Sequence, residues 1–222
     1  EDNSFSFDLG SFDRLISPRT RLIILHSPGN PTGGVIPHQD LEYIAAASRQ
    51  IGAWVLSDEI YAHIAFEGRP VVSIASLPGM AERTIIMDGF SKTYSMTGWR
   101  LGFGIMPEAL AGRVALLITQ SVGCTAEFTQ IAGIEAIRGP QDSVERMVAE
   151  YERRRDVIVD GLNHLPGIRC QKPQGAFYVF PNITHYGLTS DEMAGRMLDG
   201  GVAVLPGTSF GRHGEGYLRL AY

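Results

Sequence analysis

The sequence predicts an α/β protein: a mostly parallel sheet, followed by a smaller α+β region at the C-terminal end. Short apolar runs rich in β-branched residues alternate with stretches of helical period, which is the pattern of a twisted parallel sheet with helices on both faces. Asn30, Asp58 and Lys92 each follow the end of a different run. Ligands of such sheets collect at the carboxyl ends of strands, so residues far apart in sequence are expected to meet at one edge. Beyond a long helical stretch starting near residue 142, short strand-like runs replace the alternation.

The elements follow in order. Leu22, Ile23, Ile24 and Leu25 form a buried strand over residues 21–26, stopped by Pro28, Gly29 and Pro31. Leu41, Ile44, Ala45, Ala47 and Ile51 fall at helical spacing over 38–51, with Gly52 as the stop. Residues 53–57 read as the next strand and deliver Asp58 and Tyr61. Residues 84–87 are the strand before Lys92, and an apolar run over 101–106 follows it. Two helices are expected over 107–120 and 125–138. A third begins near Asp142 or Ser143, either of which can cap it. Its apolar stripe is Val144, Met147, Val148, Tyr151, Ile158 and Leu162, and Pro166-Gly167 ends it. It is long for a globular helix and suits a bridge between domains. Strands are then expected over 168–170, 176–180, 202–205 and 217–222, with a capping box from Thr189 to Glu192 opening a helix. This divides the chain into 1–141, a connecting helix over 142–165, and 166–222.

Bulk properties narrow the function classes. The 222 residues carry a formal net charge of −5 and are 44% hydrophobic, enough for a sizeable core. Mild acidity argues against a nucleic-acid partner held by a basic surface. Two cysteines, Cys124 and Cys170, make no disulfide framework and suggest a reducing, cytoplasmic setting. The histidines include no pair at zinc-ligand spacing, so no metal is expected. No apolar run has the length of a membrane span. The chain begins at Glu1 and ends inside the apolar run finishing at Tyr222, so a fragment is expected.

The most informative stretch runs from Gly89-Phe90-Ser91-Lys92-Thr93 to Gly98-Trp99-Arg100-Leu101-Gly102. A lysine hemmed in by apolar residues at a strand end is a candidate for a neutral amine, which can attack a carbonyl. Arg100 supplies a permanent cation suited to a phosphate. An arginine in the final strand, Arg219, calls for an anionic partner if it faces inward, and alternation leaves its facing open.

This stretch resembles the lysine signature of the pyridoxal-phosphate-dependent class I/II aminotransferases of fold type I. The Asn30-Pro31-Thr32-Gly33 turn, Asp58 with Tyr61, the Gly175-Ala176-Phe177-Tyr178 strand and Arg219 occur in that family's order. The resemblance implies pyridoxal 5'-phosphate as cofactor, held by Lys92 as a Schiff base. It implies Asp58 at the pyridine nitrogen, Tyr61 and Asn30 at the phenolic oxygen, and Ser91 and Arg100 at the phosphate. Arg219, assisted by Asn30, would clamp the substrate α-carboxylate. The implied activity is amino-group transfer between an amino acid and a 2-oxo acid by a homodimer, with Lys92 as the catalytic residue and no nucleic-acid or membrane partner.

These residue types suit that chemistry. A carboxylate at Asp58 keeps a ring nitrogen protonated, and so keeps the ring an electron sink. Arg219 offers a planar fork for a carboxylate, each charged hydrogen bond contributing about 1.5–3 kcal/mol. The family's N-terminal portion, with its phosphate loop and ring-stacking aromatic, has no counterpart in these residues. Without those contacts about 4–8 kcal/mol of cofactor binding is expected to be missing, and the 222-residue piece alone is expected to be inactive. The alternatives are a carbon–sulfur lyase or synthase of the same fold, and an aminotransferase-like effector domain of a transcription regulator. Asn30 argues against the last, whose turn usually carries His-Gln in place of Gly29-Asn30.

Overall fold

A computed structural model describes residues 5–222. The first sheet contains β1 (Leu22–His26), β2 (Trp54–Asp58), β3 (Thr84–Gly89) and β4 (Gly102–Ile105), in that spatial order. β1, β2 and β3 run parallel, and β4 returns antiparallel to β3. The mostly parallel sheet expected from the sequence is therefore present.

Helix α1 (Leu9–Leu15) precedes the sheet, and α2 (His38–Ile51) is the crossover between β1 and β2. Leu41, Ile44 and Ala45 of α2 are buried against Ile23 and Leu25 of β1 and Val55 of β2, with Phe12 of α1 and Met80 completing the cluster. α2 ends where Gly52 adopts φ 70°, the left-handed conformation that glycine enters without a Cβ penalty. Helices were expected on both faces, yet this core lies on one face only. Strand alternation sends Leu22 and Ile24 to the other face, where they are 43% and 68% exposed among the described residues. His26 and Asp58, paired across β1 and β2, end the strands on that second face.

Lys92 sits in α3 (Phe90–Thr93), a single helical turn that starts directly at the end of β3. Helices α4 (Glu108–Ser121) and α5 (Glu127–Arg138) follow β4. Asp142 and Ser143 do not cap α6 (Asp142–His164). The capping position belongs to Gln141, whose side-chain amide donates instead to the carbonyls of Ala136 and Gly139 and ties α6 to the end of α5. Along its 23 residues α6 packs Met147, Val148 and Tyr151 against Tyr61, Ile64 and Phe66, then Ile158, Val159 and Leu162 against Cys170 and Val179.

The second sheet is smaller than expected. It holds β5 (Tyr178–Val179), β7 (Leu218–Ala221) and β6 (Leu205–Pro206), all antiparallel, in the order β5-β7-β6. The run at 168–170 contributes one isolated bridge, Arg169 to Asn182. The run at 176–180 shortens because Ala176 has φ 58°, outside strand geometry. The run at 202–205 is cut back because Val202 donates to the Met197 carbonyl and closes the end of α7 (Ser190–Asp199). The capping box opening α7 is present, with Thr189 and Glu192 bonded reciprocally. Among the described residues no helix is long and apolar enough to cross a membrane.

Candidate active site

Three strand ends and one antiparallel strand converge. The turn after β1 carries Asn30, β2 ends in Asp58 with Tyr61 in the turn beyond, β3 leads into Lys92, and β7 brings Arg219. Parallel pairing sets the alignment, since His26 lies opposite Asp58 and Asp58 opposite Met87 at the same sheet edge. The second sheet is fastened to this edge through backbone. The Gly33 carbonyl accepts from the Gln174 and Gly175 N–H groups at 2.9 and 3.0 Å, and Ala176 N–H donates to the Ile64 carbonyl at 2.8 Å.

A continuous set of contacts runs through the site. The Asp58 carboxylate accepts from the Ile60 N–H at 3.2 Å and lies 3.4 Å from His26 Nδ1. The His26 ring stacks on Tyr61, with centroids 5.7 Å apart. The Tyr61 hydroxyl meets the Tyr178 hydroxyl at 3.0 Å. The Tyr178 ring lies 4.5 Å from the Arg219 guanidinium carbon, and Arg219 donates to Asn30 Oδ1 at 3.0 Å. Lys92 Nζ is 5.9 Å from the centre of the Tyr61 ring and 5.6 Å from that of Phe177. Asp58, Tyr61, Lys92, Asn30 and Arg219 are thus brought together.

Ser91 is half-buried beside Lys92 on the same helical turn. Arg100 stands apart. It is exposed, holds φ 52°, and one of its N–H groups donates to the Thr97 carbonyl at 2.8 Å. A guanidinium has five such donors, so this bond leaves others for an anion.

Burial, and next the Tyr178 hydroxyl, hold the Tyr61 phenol far above the ordinary tyrosine value. Tyr61 therefore keeps its proton and remains a donor at neutral pH.

The donor set fits pyridoxal 5'-phosphate. An amine, a carboxylate and a protonated phenol are the partners required by an aldehyde, a ring nitrogen and a phenolic oxygen, and all three belong to one connected site. Arg219 Nε is buried without a hydrogen-bond partner. A buried charged donor left unpaired is costly, and a substrate carboxylate would supply the missing acceptor.

The sequence does not single out His26, and it names Phe177 and Tyr178 only as part of the Gly175-Ala176-Phe177-Tyr178 strand, without a role in the site. His26 ends an apolar strand, where a histidine carries no distinctive pattern. Phe177 and Tyr178 read as core residues of a strand, and their part in the site comes from where the second sheet docks.

A family profile described as "Aminotransferase class I and II" matches residues 1–222. The chain is 42% identical to the "Aromatic-amino-acid aminotransferase 2" of Thermococcus litoralis and 42% identical to an "Aspartate aminotransferase" of Pyrococcus abyssi, each match covering 100% of this chain and 58% of the relative. The fold superposes on an aromatic aminotransferase from Pyrococcus horikoshii with a TM-score of 0.95 and 41% identity, covering 100% of this chain and 60% of that one. It superposes on the Thermus thermophilus aspartate aminotransferase with maleate at a TM-score of 0.91 and 34% identity, covering 100% of this chain and 57% of that one. The chain thus spans under three fifths of the length of the curated relatives it matches. With the whole chain matched at this level, it belongs to the class I and II aminotransferase family.

Proposed function

We propose that the polypeptide carrying these residues is a pyridoxal-phosphate-dependent amino-acid aminotransferase, exchanging an amino group between an amino acid and a 2-oxo acid. The observation that carries this reading is the connected set Asp58–His26–Tyr61–Tyr178–Arg219–Asn30 with Lys92 over the Tyr61 ring. In this reading Lys92, Asp58, Tyr61, Asn30, Ser91 and Arg100 hold the cofactor, and Arg219 with Asn30 holds the substrate.

Bound pyridoxal phosphate supplies the sink for the electron pair released at the substrate α-carbon. This chain's residues do the rest. Arg219 takes the α-carboxylate through guanidinium N–H groups, and its bond to Asn30 fixes the plane of the fork. That contact orients the α-carbon towards Lys92. Lys92 provides the amine nucleophile, and its Nζ holds and delivers the proton moved between carbons. Asp58 would accept from the protonated ring nitrogen, while its hydrogen bond from the Ile60 N–H and the nearby His26 ring hold its carboxylate in place. Tyr61 would donate to the phenolic oxygen. The rings of Tyr61 and Phe177 cover one side of Lys92 and limit water there.

The matched relatives are named for aromatic amino acids and for aspartate, and what such substrates share is the α-carboxylate that Arg219 addresses. The reading includes a homodimer, supported by the apolar surface that Leu116, Leu117, Ile131 and Ile134 expose on α4 and α5. It also includes a cytoplasmic setting, supported by two unpaired cysteines. The test is amino transfer from a panel of amino acids to 2-oxoglutarate by the intact polypeptide carrying these 222 residues. Transfer lost in Lys92→Ala is expected, and no transfer from any amino acid contradicts the reading.

A further inference from the structure

Tyr178 makes two contacts that serve different ends of the site. Its hydroxyl lies 3.0 Å from the Tyr61 hydroxyl, and its ring lies 4.5 Å from the Arg219 guanidinium carbon. The side chain is 6% exposed. It sits on β5, paired with the β7 strand that carries Arg219, while Tyr61 belongs to the first sheet's edge. We propose that Tyr178 is a positioning residue that couples the Arg219 guanidinium to the Tyr61 hydroxyl. The proposal rests on the aminotransferase reading of the same site.

The hydroxyl contact has a direction once the site is in use. A phenol has one hydrogen to give. If Tyr61 spends its hydrogen on an anionic oxygen in the site, the bond to Tyr178 persists only with Tyr178 as donor and the Tyr61 oxygen as acceptor. Accepting one hydrogen bond strengthens a hydroxyl as donor of another, most of all in a low-dielectric setting. Tyr178 thus makes Tyr61 a better donor without touching what Tyr61 binds.

The ring contact works on the other end. Phe210 lies 4.8 Å from the same guanidinium carbon, and Asn30 takes one of the N–H groups at 3.0 Å. The aromatic rings hold the cation by their faces while its edge is left for a carboxylate. Because one rigid side chain makes both contacts, the position of Arg219 and the polarity of the Tyr61 hydroxyl are set together.

The experiment uses the intact, cofactor-loaded polypeptide and reads the midpoint of the pH titration of its visible absorbance band. A donor on the phenolic oxygen favours the anionic form, so weakening that donor raises the midpoint. Tyr178→Phe removes one oxygen and is expected to raise it by roughly 0.4–1 pH unit. In a Tyr61→Phe background the same change is expected to shift nothing. Tyr178→Leu removes the ring and is expected to weaken maleate or 3-phenylpropionate binding by roughly five- to thirtyfold. Tyr178→Phe, which keeps the ring but loses its anchor on Tyr61, is expected to weaken both less than Tyr178→Leu does. An unmoved midpoint in Tyr178→Phe, an equal shift without Tyr61, or unchanged carboxylate binding in Tyr178→Leu overturns the coupling while the enzyme reading stands. A parent protein with no visible band overturns the enzyme reading, and the coupling with it.

Discussion

Arg219 donates to Asn30 Oδ1 at 3.0 Å, joining the last strand to the turn after β1 across 189 positions of chain. That bond ties the cation of the last strand to the first sheet. Arg219→Lys keeps the charge but loses the planar fork. Carboxylate affinity of the intact polypeptide is expected to fall by roughly 10- to 150-fold, the equivalent of about 1.5–3 kcal/mol. Asn30→Ala is expected to cost less, about tenfold or below, because the guanidinium survives and only its orientation is freed. Titration with maleate and 3-phenylpropionate checks both, and equal affinity in Arg219→Lys refutes the assignment.

Gly175 is where the second sheet meets the first. A Cβ there would lie 2.7 Å from the Ile64 carbonyl and 2.7 Å from Pro28 Cγ, neither of which is a flexible side-chain end. Gly175→Ala must push the two sheets apart, with an expected loss of about 1–3 kcal/mol in stability. The shift also separates Tyr178 from Tyr61, so carboxylate affinity should fall alongside. Denaturant melts together with ligand titration test this, and unchanged values for both would rule it out.

Much of this architecture is legible in local sequence. The period of α2, the glycine that ends it and the Thr189–Glu192 capping box follow from interactions within a few residues of each other. Lys92, Asp58 and Asn30 are legible as strand-end residues for a similar reason. The second sheet is not, because its strands are two to four residues long and owe their pairing to docking. Arg155 shows the limit most clearly. It falls on α6's own apolar face, four residues after Tyr151 and three before Ile158, and its side chain is 1% exposed, lying over the Phe66 ring at 4.7 Å and pairing with Glu67 and Asp156. A buried arginine is recognisable only from partners that the fold brings to it. Tyr178 is similar: its neighbours in sequence read as core, and its neighbours in space are Tyr61 and Arg219.

Cys170 supplies a pH dependence. Burial pushes its thiol up from 9.0 to about 12. The folded state then holds a proton that the unfolded state has released, so stability falls as pH rises through that window. The slope is about 1.4 kcal/mol per pH unit for one proton. Cys170→Ala is expected to flatten this alkaline limb between pH 9 and 12, as read from urea midpoints at several pH values. A limb of unchanged slope would show that the thiol ionises as freely in the fold as outside it.

The central claim is that the amine of Lys92 is the group through which this site holds pyridoxal phosphate. The most direct measurement is the visible absorbance spectrum of the intact polypeptide after loading with pyridoxal phosphate and removal of the excess, for the parent and for Lys92→Ala. A visible band in the parent that changes on adding an amino acid, and is absent from a folded Lys92→Ala, is the predicted result. The same band in both proteins, or in neither, would contradict the account.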